Sequence, residues 1–215
     1  IDGVASVNVW ELIGTGGWVM APIILSSILA IAIVIERIWI LRETRVAPAL
    51  LVPEVWRLVA TDSLGPVSLR RLRAGSPLGR VIAAGLSHAG GSRARMLERI
   101  EETGRVEAMQ LERHLNTLGT IAAVTPLLGL LGTVIGMIEV FSTIDAAGLG
   151  DNRALAGGIG EALVTTGAGL IVAIPTVAVH RYLRGRANRL IVDIEREALK
   201  LADVLTRNTA VTDDE

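Results

Sequence analysis

The sequence predicts an all-α integral membrane protein with three transmembrane helices, the second and third extended beyond the membrane as long helices. Two observations carry the prediction. Three stretches are free of Asp, Glu, Lys and Arg for longer than the roughly 20 residues a helix needs to cross the hydrocarbon layer. They are Leu12–Ile35, Asn116–Ile138 and Ala154–Val179, the last broken once by Glu161. The 21 Lys and Arg residues are also segregated: twelve lie between Arg42 and Arg113, seven between Arg181 and Arg207, and only Arg153 separates the second and third stretches. A soluble chain of 215 residues would have to wrap three fully apolar helices in polar partners it does not possess. Positive charge marks the cytoplasmic side, so residues 1–11 and 143–153 are expected outside, and 42–92 and the C-terminus inside.

Span one is expected over 12–41. Gly14, Gly16, Gly17 and Trp18 introduce it, and Pro22 sits in its first turns, where a missing N–H is tolerated. Trp10, Trp18 and Trp39 lie near its ends as interfacial anchors, and Glu36 and Arg37 follow the apolar run. No Lys or Arg precedes it, which excludes a cleaved secretory signal. The chain starts at Ile1 and not Met, so residues upstream are expected. With no cysteine, disulfides and thiolate metal sites are excluded.

Pro48, Pro53, Gly65-Pro66, Gly75, Pro77 and Gly90-Gly91 punctuate the next segment, which reads as three short amphipathic helices near 50–61, 66–73 and 77–89. The Arg70-Arg71-Leu72-Arg73 run has no interleaved aromatics, so it reads as a solvated or lipid-facing surface and not as a nucleic-acid site. From Ser92, a helix N-cap, no Pro intervenes before Pro126, and one helix is expected over 93–142 with span two at 116–138. Another is expected over 154–207 with span three at 154–179. Beyond the span, Leu190, Ile191, Ile194, Ala198, Leu201 and Leu205 recur at helical spacing, so that face needs a partner. Residues 208–215 read as a frayed tail. Arg181, Arg184 and Arg186 fall where span three leaves the membrane, in reach of anionic lipid headgroups.

Chemistry concentrates at Glu161. A carboxylate inside an apolar span is costly and usually faces a cavity or a proton path. At about 1.5 Å per residue it lies about 10 Å below the outer end of span three; the alternative is a helix-end Glu that snorkels outward. Thr133 in span two, and Thr165 and Thr166 in span three, carry hydroxyls that can support a hydrogen-bonded path or simply bond back to their own helix. At about 100° per residue, Thr165 shares the Glu161 face more closely than Thr166. Gly129, Gly132 and Gly136 in span two, and Gly157 and Gly158 in span three, form small-residue surfaces for close helix packing. Pro126 and Pro175 each free a backbone carbonyl and mark candidate kinks. No enzyme constellation is present: His88, His114 and His180 match no metal spacing, and neither a Gly-x-Ser-x-Gly nor a P-loop occurs.

Two motifs, Ala123-Val-Thr-Pro-Leu-Leu-Gly-Leu-Leu-Gly-Thr-Val-Ile-Gly-Met-Ile138 and Leu155-Ala-Gly-Gly-Ile-Gly-Glu-Ala-Leu-Val-Thr-Thr-Gly-Ala-Gly-Leu-Ile-Val-Ala-Ile-Pro175, resemble the MotA/TolQ/ExbB proton-channel family. The resemblance covers spans two and three closely and span one more loosely. It implies a homopentamer in the bacterial inner membrane, with spans two and three lining a pore that holds an ExbD-like or TolR-like single-span partner. The complex would use the proton motive force to energise a TonB-like or TolA-like protein, with no cofactor beyond the transported protons. The family's functional Glu falls on Glu161, its span-two Thr on Thr133 and its span-three Thr on Thr166, against the face count that favours Thr165. The family's protonated Asp belongs to the partner, so Glu161 either carries the proton or shapes the pore. Three spans fit the ExbB and TolQ branches, and Gly-Ile-Gly-Glu-Ala-Leu leans toward ExbB. A non-conducting pentameric scaffold is the alternative.

Overall fold

The computed structural model describes residues 17–61, 63–88, 92–147 and 152–212. The expected outer N-terminus (1–11), the beginning of span one (12–16) and residues 148–151 and 213–215 lie outside them. Every regular element described is a helix: α1 Met20–Ile40, α2 Glu43–Val46, α3 Leu51–Ala60, α4 Pro66–Ala74, α5 Pro77–Leu86, α6 Arg93–Glu112, α7 Leu115–Ala147 and α8 Asn152–Thr212. Among the described residues, three helical stretches are long and apolar enough to cross a membrane: Met20–Ile40, one within Arg93–Ile144 and one within Ala156–Leu205.

Three boundaries differ from the sequence expectation. In the described part of span one the helix runs from Met20, behind a turn over residues 17–19 in which Gly17 takes a left-handed backbone (φ +61°), where helix is expected. α8 stays helical to Thr212, past the start of the expected frayed tail. The third difference is the largest. The helix expected unbroken over 93–142 stops at Glu112: Arg113 turns extended (φ −51°, ψ 141°), His114 is left-handed (φ 63°), and a new helix starts at Leu115.

The chain divides into two compact units, Ile1–Ile35 with His114–Arg181, and Glu36–Arg113 with Tyr182–Glu215. In the first unit, Val19 of the turn and Met20 and Ile23 of α1 are buried against Leu128 and Ile135 of α7 and Ala168 and Val172 of α8. Leu25, Ile28, Ile31 and Ile35 on the same helix stay exposed. The head of α1 is therefore part of the core, while its other face remains open.

In the second unit, helix starts follow local rules. Pro66 and Pro77 occupy the opening positions of α4 and α5, where no amide is needed. The hydroxyls of Ser76 and Ser92 accept from the amides of Gly79 (3.1 Å) and Arg95 (3.4 Å). α5 is tied to α6 by a bidentate pair in which Nε and Nη2 of Arg80 donate to the Glu107 carboxylate at 2.6 Å each. The hydrogen bond to Glu107, with its negative charge, raises the Arg80 guanidinium against the opposing effect of burial. A raised basic group stabilises fully below its unfolded pKa and loses that contribution only as pH climbs through the folded one, so this tie is constant across the physiological range. Of the stripe expected on α8, Leu190, Ile194, Ala198 and Leu201 are buried while Ile191 and Leu205 are half-buried, and Arg93 donates to Asp203 at 2.7 Å.

The helix break has a side-chain partner. Ending α6 at Glu112 leaves its last carbonyls without the amides a continuing helix would supply. Arg37 of α1, only 2% exposed, donates Nη1 to the carbonyls of Gln110 (3.2 Å) and Leu111 (3.5 Å), and Nη2 to Glu36 (2.9 Å). A cation at the carbonyl end also meets the negative pole of the helix dipole. A second arginine does similar work, with Arg186 of α8 donating Nε to the Leu41 carbonyl just past α1 at 2.6 Å.

Candidate functional site at the seam of the second and third apolar helices

Glycines let α7 and α8 touch backbone to backbone. A Cβ on Gly129 would lie 3.1 Å from Thr166 Cα, one on Gly136 3.0 Å from the Gly158 carbonyl, and one on Gly169 2.9 Å from the Thr125 carbonyl. On Gly132 it would lie 2.6 Å from Thr165 Cβ. Gly158 faces Val140 in the same seam, whereas Gly157, expected there too, has nothing within 4 Å. Gly169, further along the third apolar helix, belongs to the same seam.

The threonines separate into three environments. Thr165 is 1% exposed, and its hydroxyl donates to its own helix at the Glu161 carbonyl (2.8 Å). Thr166 reaches across and donates to the Gly129 carbonyl of α7 at 2.8 Å. Thr133 is half-buried and bonds within its helix to the Leu130 carbonyl (2.6 Å). Thr165 and Thr166 thus both lie at the seam, one as packing and one as an interhelical bond. Pro126 and Pro175 lie inside helices that continue through them. Next to each, a threonine hydroxyl bonds back along its helix: Thr125 to the Ile121 carbonyl (2.7 Å) and Thr176 to the Val172 carbonyl (2.6 Å).

Glu161 is half-buried on α8, four residues before Thr165. Its carboxyl lies against the backbone of Gly17 in the turn ahead of α1, close enough that a Cβ on Gly17 would overlap Oε1. Gly17 carried no functional assignment in the sequence, and no spacing rule links it to Glu161. Of the three arginines expected at lipid headgroups, Arg181 and Arg184 are exposed. Arg186 is committed to the Leu41 carbonyl through its Nε.

Residues 73–196, from the end of α4 through most of α8, match the MotA/TolQ/ExbB proton channel family. Two proteins of Synechocystis sp. are similar along most of the chain. The one named ExbB-like 3 is 34% identical over 167 residues, 75% of this chain and 78% of that protein. The one named ExbB-like 1 is 35% identical over 171 residues, 78% of this chain and 67% of that protein. The biopolymer transport protein exbB1 of Vibrio cholerae is 42% identical over 93 residues, 40% of this chain and 41% of that protein. Three helices able to cross a membrane, a glycine seam between two of them and these matches together make the chain a multi-pass membrane protein of the MotA/TolQ/ExbB proton channel family, on its ExbB side.

Proposed function

We propose that this chain is the channel-forming subunit of an ExbB–ExbD type motor in the bacterial inner membrane, where it uses the proton motive force to energise TonB-dependent transport. The observation that carries this reading is Glu161, the one acidic residue in three otherwise uncharged stretches, in a chain of a proton channel family. A carboxyl kept at such a depth has a reason to be there. Thr133 and Thr166 flank the same two helices and supply hydroxyls to a path that Glu161 either conducts or shapes. The names of the relatives, biopolymer transport proteins among them, agree with a role in energising transport.

The proposed assembly is a homopentamer with α7 and α8 around the pore, an ExbD-like or TolR-like single-span helix inside it, and a TonB-like or TolA-like protein as the output. Apolar residues left open on a single chain, such as Leu127, Leu130, Leu163, Ile171 and Ile174, would face neighbours, partner or lipid in that assembly. The chain is proposed to act without turnover of a substrate, as no enzyme does, and without a cofactor.

One observation favours a second reading, a scaffold that holds its partner without conducting. All three threonine hydroxyls donate to backbone carbonyls, as structural threonines do. Proton uptake into liposomes containing the chain and its single-span partner separates the two. The channel reading expects flux to fall to background in Glu161→Ala and to drop clearly in Thr133→Ala. Wild-type flux in both variants would take these residues out of the path, and no flux through the wild-type complex would leave the scaffold.

A further inference from the structure

Gly17 stands apart from the other close-packed glycines. Gly129, Gly136 and Gly169 meet the backbone of a neighbouring helix, and Gly85 and Gly119 meet the apolar Ile100 chain and the His180 ring. Among the described residues Gly17 meets the end of the Glu161 side chain: a Cβ there would overlap Oε1 and lie 3.4 Å from Cδ. Its backbone is left-handed at φ +61°, a conformation that disfavours residues with a side chain. The turn continues at once into α1, with the amides of Met20 and Ala21 donating to the carbonyls of Gly17 and Trp18, each at 3.2 Å.

We propose that Gly17 is a positioning residue for Glu161, its bare left-handed turn forming the seat that holds the carboxyl at the head of α1. α1 then becomes a third wall of the site. A side chain at 17 moves the far end of a flexible glutamate and leaves the helices in place, so the effect falls on the carboxyl and not on the fold. The inference rests on Glu161 being functional, as proposed above, but its test does not depend on ion flow.

The test is the rate at which a hydrophobic carbodiimide modifies Glu161, read by mass spectrometry on the full chain in liposomes, with Glu161→Gln as the blank. Gly17→Ala and Gly17→Asn should each raise the rate by about threefold or more by driving the carboxyl off its seat. Asn tolerates the left-handed backbone, so it separates side-chain volume from backbone strain. In the shorter Glu161→Asp background, Gly17→Ala should have no effect. Equal rates in wild type and both Gly17 variants would overturn the seat. The unmodified chain gives a check that needs no variant to fold: solid-state NMR should show a direct Gly17 Cα–Glu161 Cδ correlation, and its absence also overturns the proposal. If the Gly17 variants alter labelling while Glu161→Gln conducts normally, the seat stands and Glu161 drops out of the proton path; unaltered labelling with a non-conducting Glu161→Gln sinks the seat alone.

Discussion

Thr165 and Thr166 are adjacent in the chain and have different work. Counting about 100° per residue placed Thr165 with Glu161, while the family motif chose Thr166. The structure puts both at the seam, Thr165 buried against Gly132 and Thr166 bonded to the Gly129 carbonyl. Angular counting sorts residues on their own helix, but it cannot say which face meets a neighbour. The tight approach at Gly132 makes a prediction. Gly132→Ala should destabilise the chain in detergent by about 1–3 kcal/mol, because its methyl would lie 2.6 Å from Thr165 Cβ. Adding Thr165→Ala should recover part of that loss; strict additivity of the two would show that they do not meet. Thr133, bonded only within its own helix, should be replaceable by Ala at little cost in stability, so a flux defect there would report function. Glu161 was legible because a lone charge in an apolar span announces itself. Gly17 was not, because what makes it matter is a carboxyl on a different helix.

At the scale of elements, helices were readable wherever the signal is local. Missing charge marked the three apolar helices, and Pro66 and Pro77 marked the starts of α4 and α5. The four-residue α2 carries no such mark. The break at Arg113–His114 was unreadable for a clearer reason: neither residue is a helix breaker, and the group that satisfies the orphaned carbonyls, Arg37, is supplied by α1. Arg37→Met should cost about 1–3 kcal/mol in thermal or denaturant unfolding, since buried carbonyls lose their donor. His114→Gly should be more stable than His114→Ala by about 1 kcal/mol, because only glycine takes the left-handed position freely. Greater stability for Ala than for Gly at 114, by about 1 kcal/mol, would mean the helix runs through.

At the scale of the whole molecule, the segregation of basic residues is what makes sidedness predictable. The chain has no cysteine, so single introduced thiols are unambiguous. Thr61→Cys should react with a membrane-impermeant maleimide only from the cytoplasmic side, and Ser142→Cys only from the opposite side. Labelling of both from one side would contradict the three-span topology. What charge could not reveal is how differently the second and third apolar helices are built. α8 runs from Asn152 to Thr212 in one piece, while its counterpart is stopped and restarted at His114. In mechanical language, one is a solid shaft and the other a shaft with a joint. A shaft held by hydrogen bonds in series hands a twist received at one end to the other, whereas a joint takes up the same twist as rotation about a few backbone bonds. A twist applied to α8 would meet an unbroken ladder from Asn152 to Thr212, whereas along α6 and α7 it would meet the two unladdered residues Arg113 and His114.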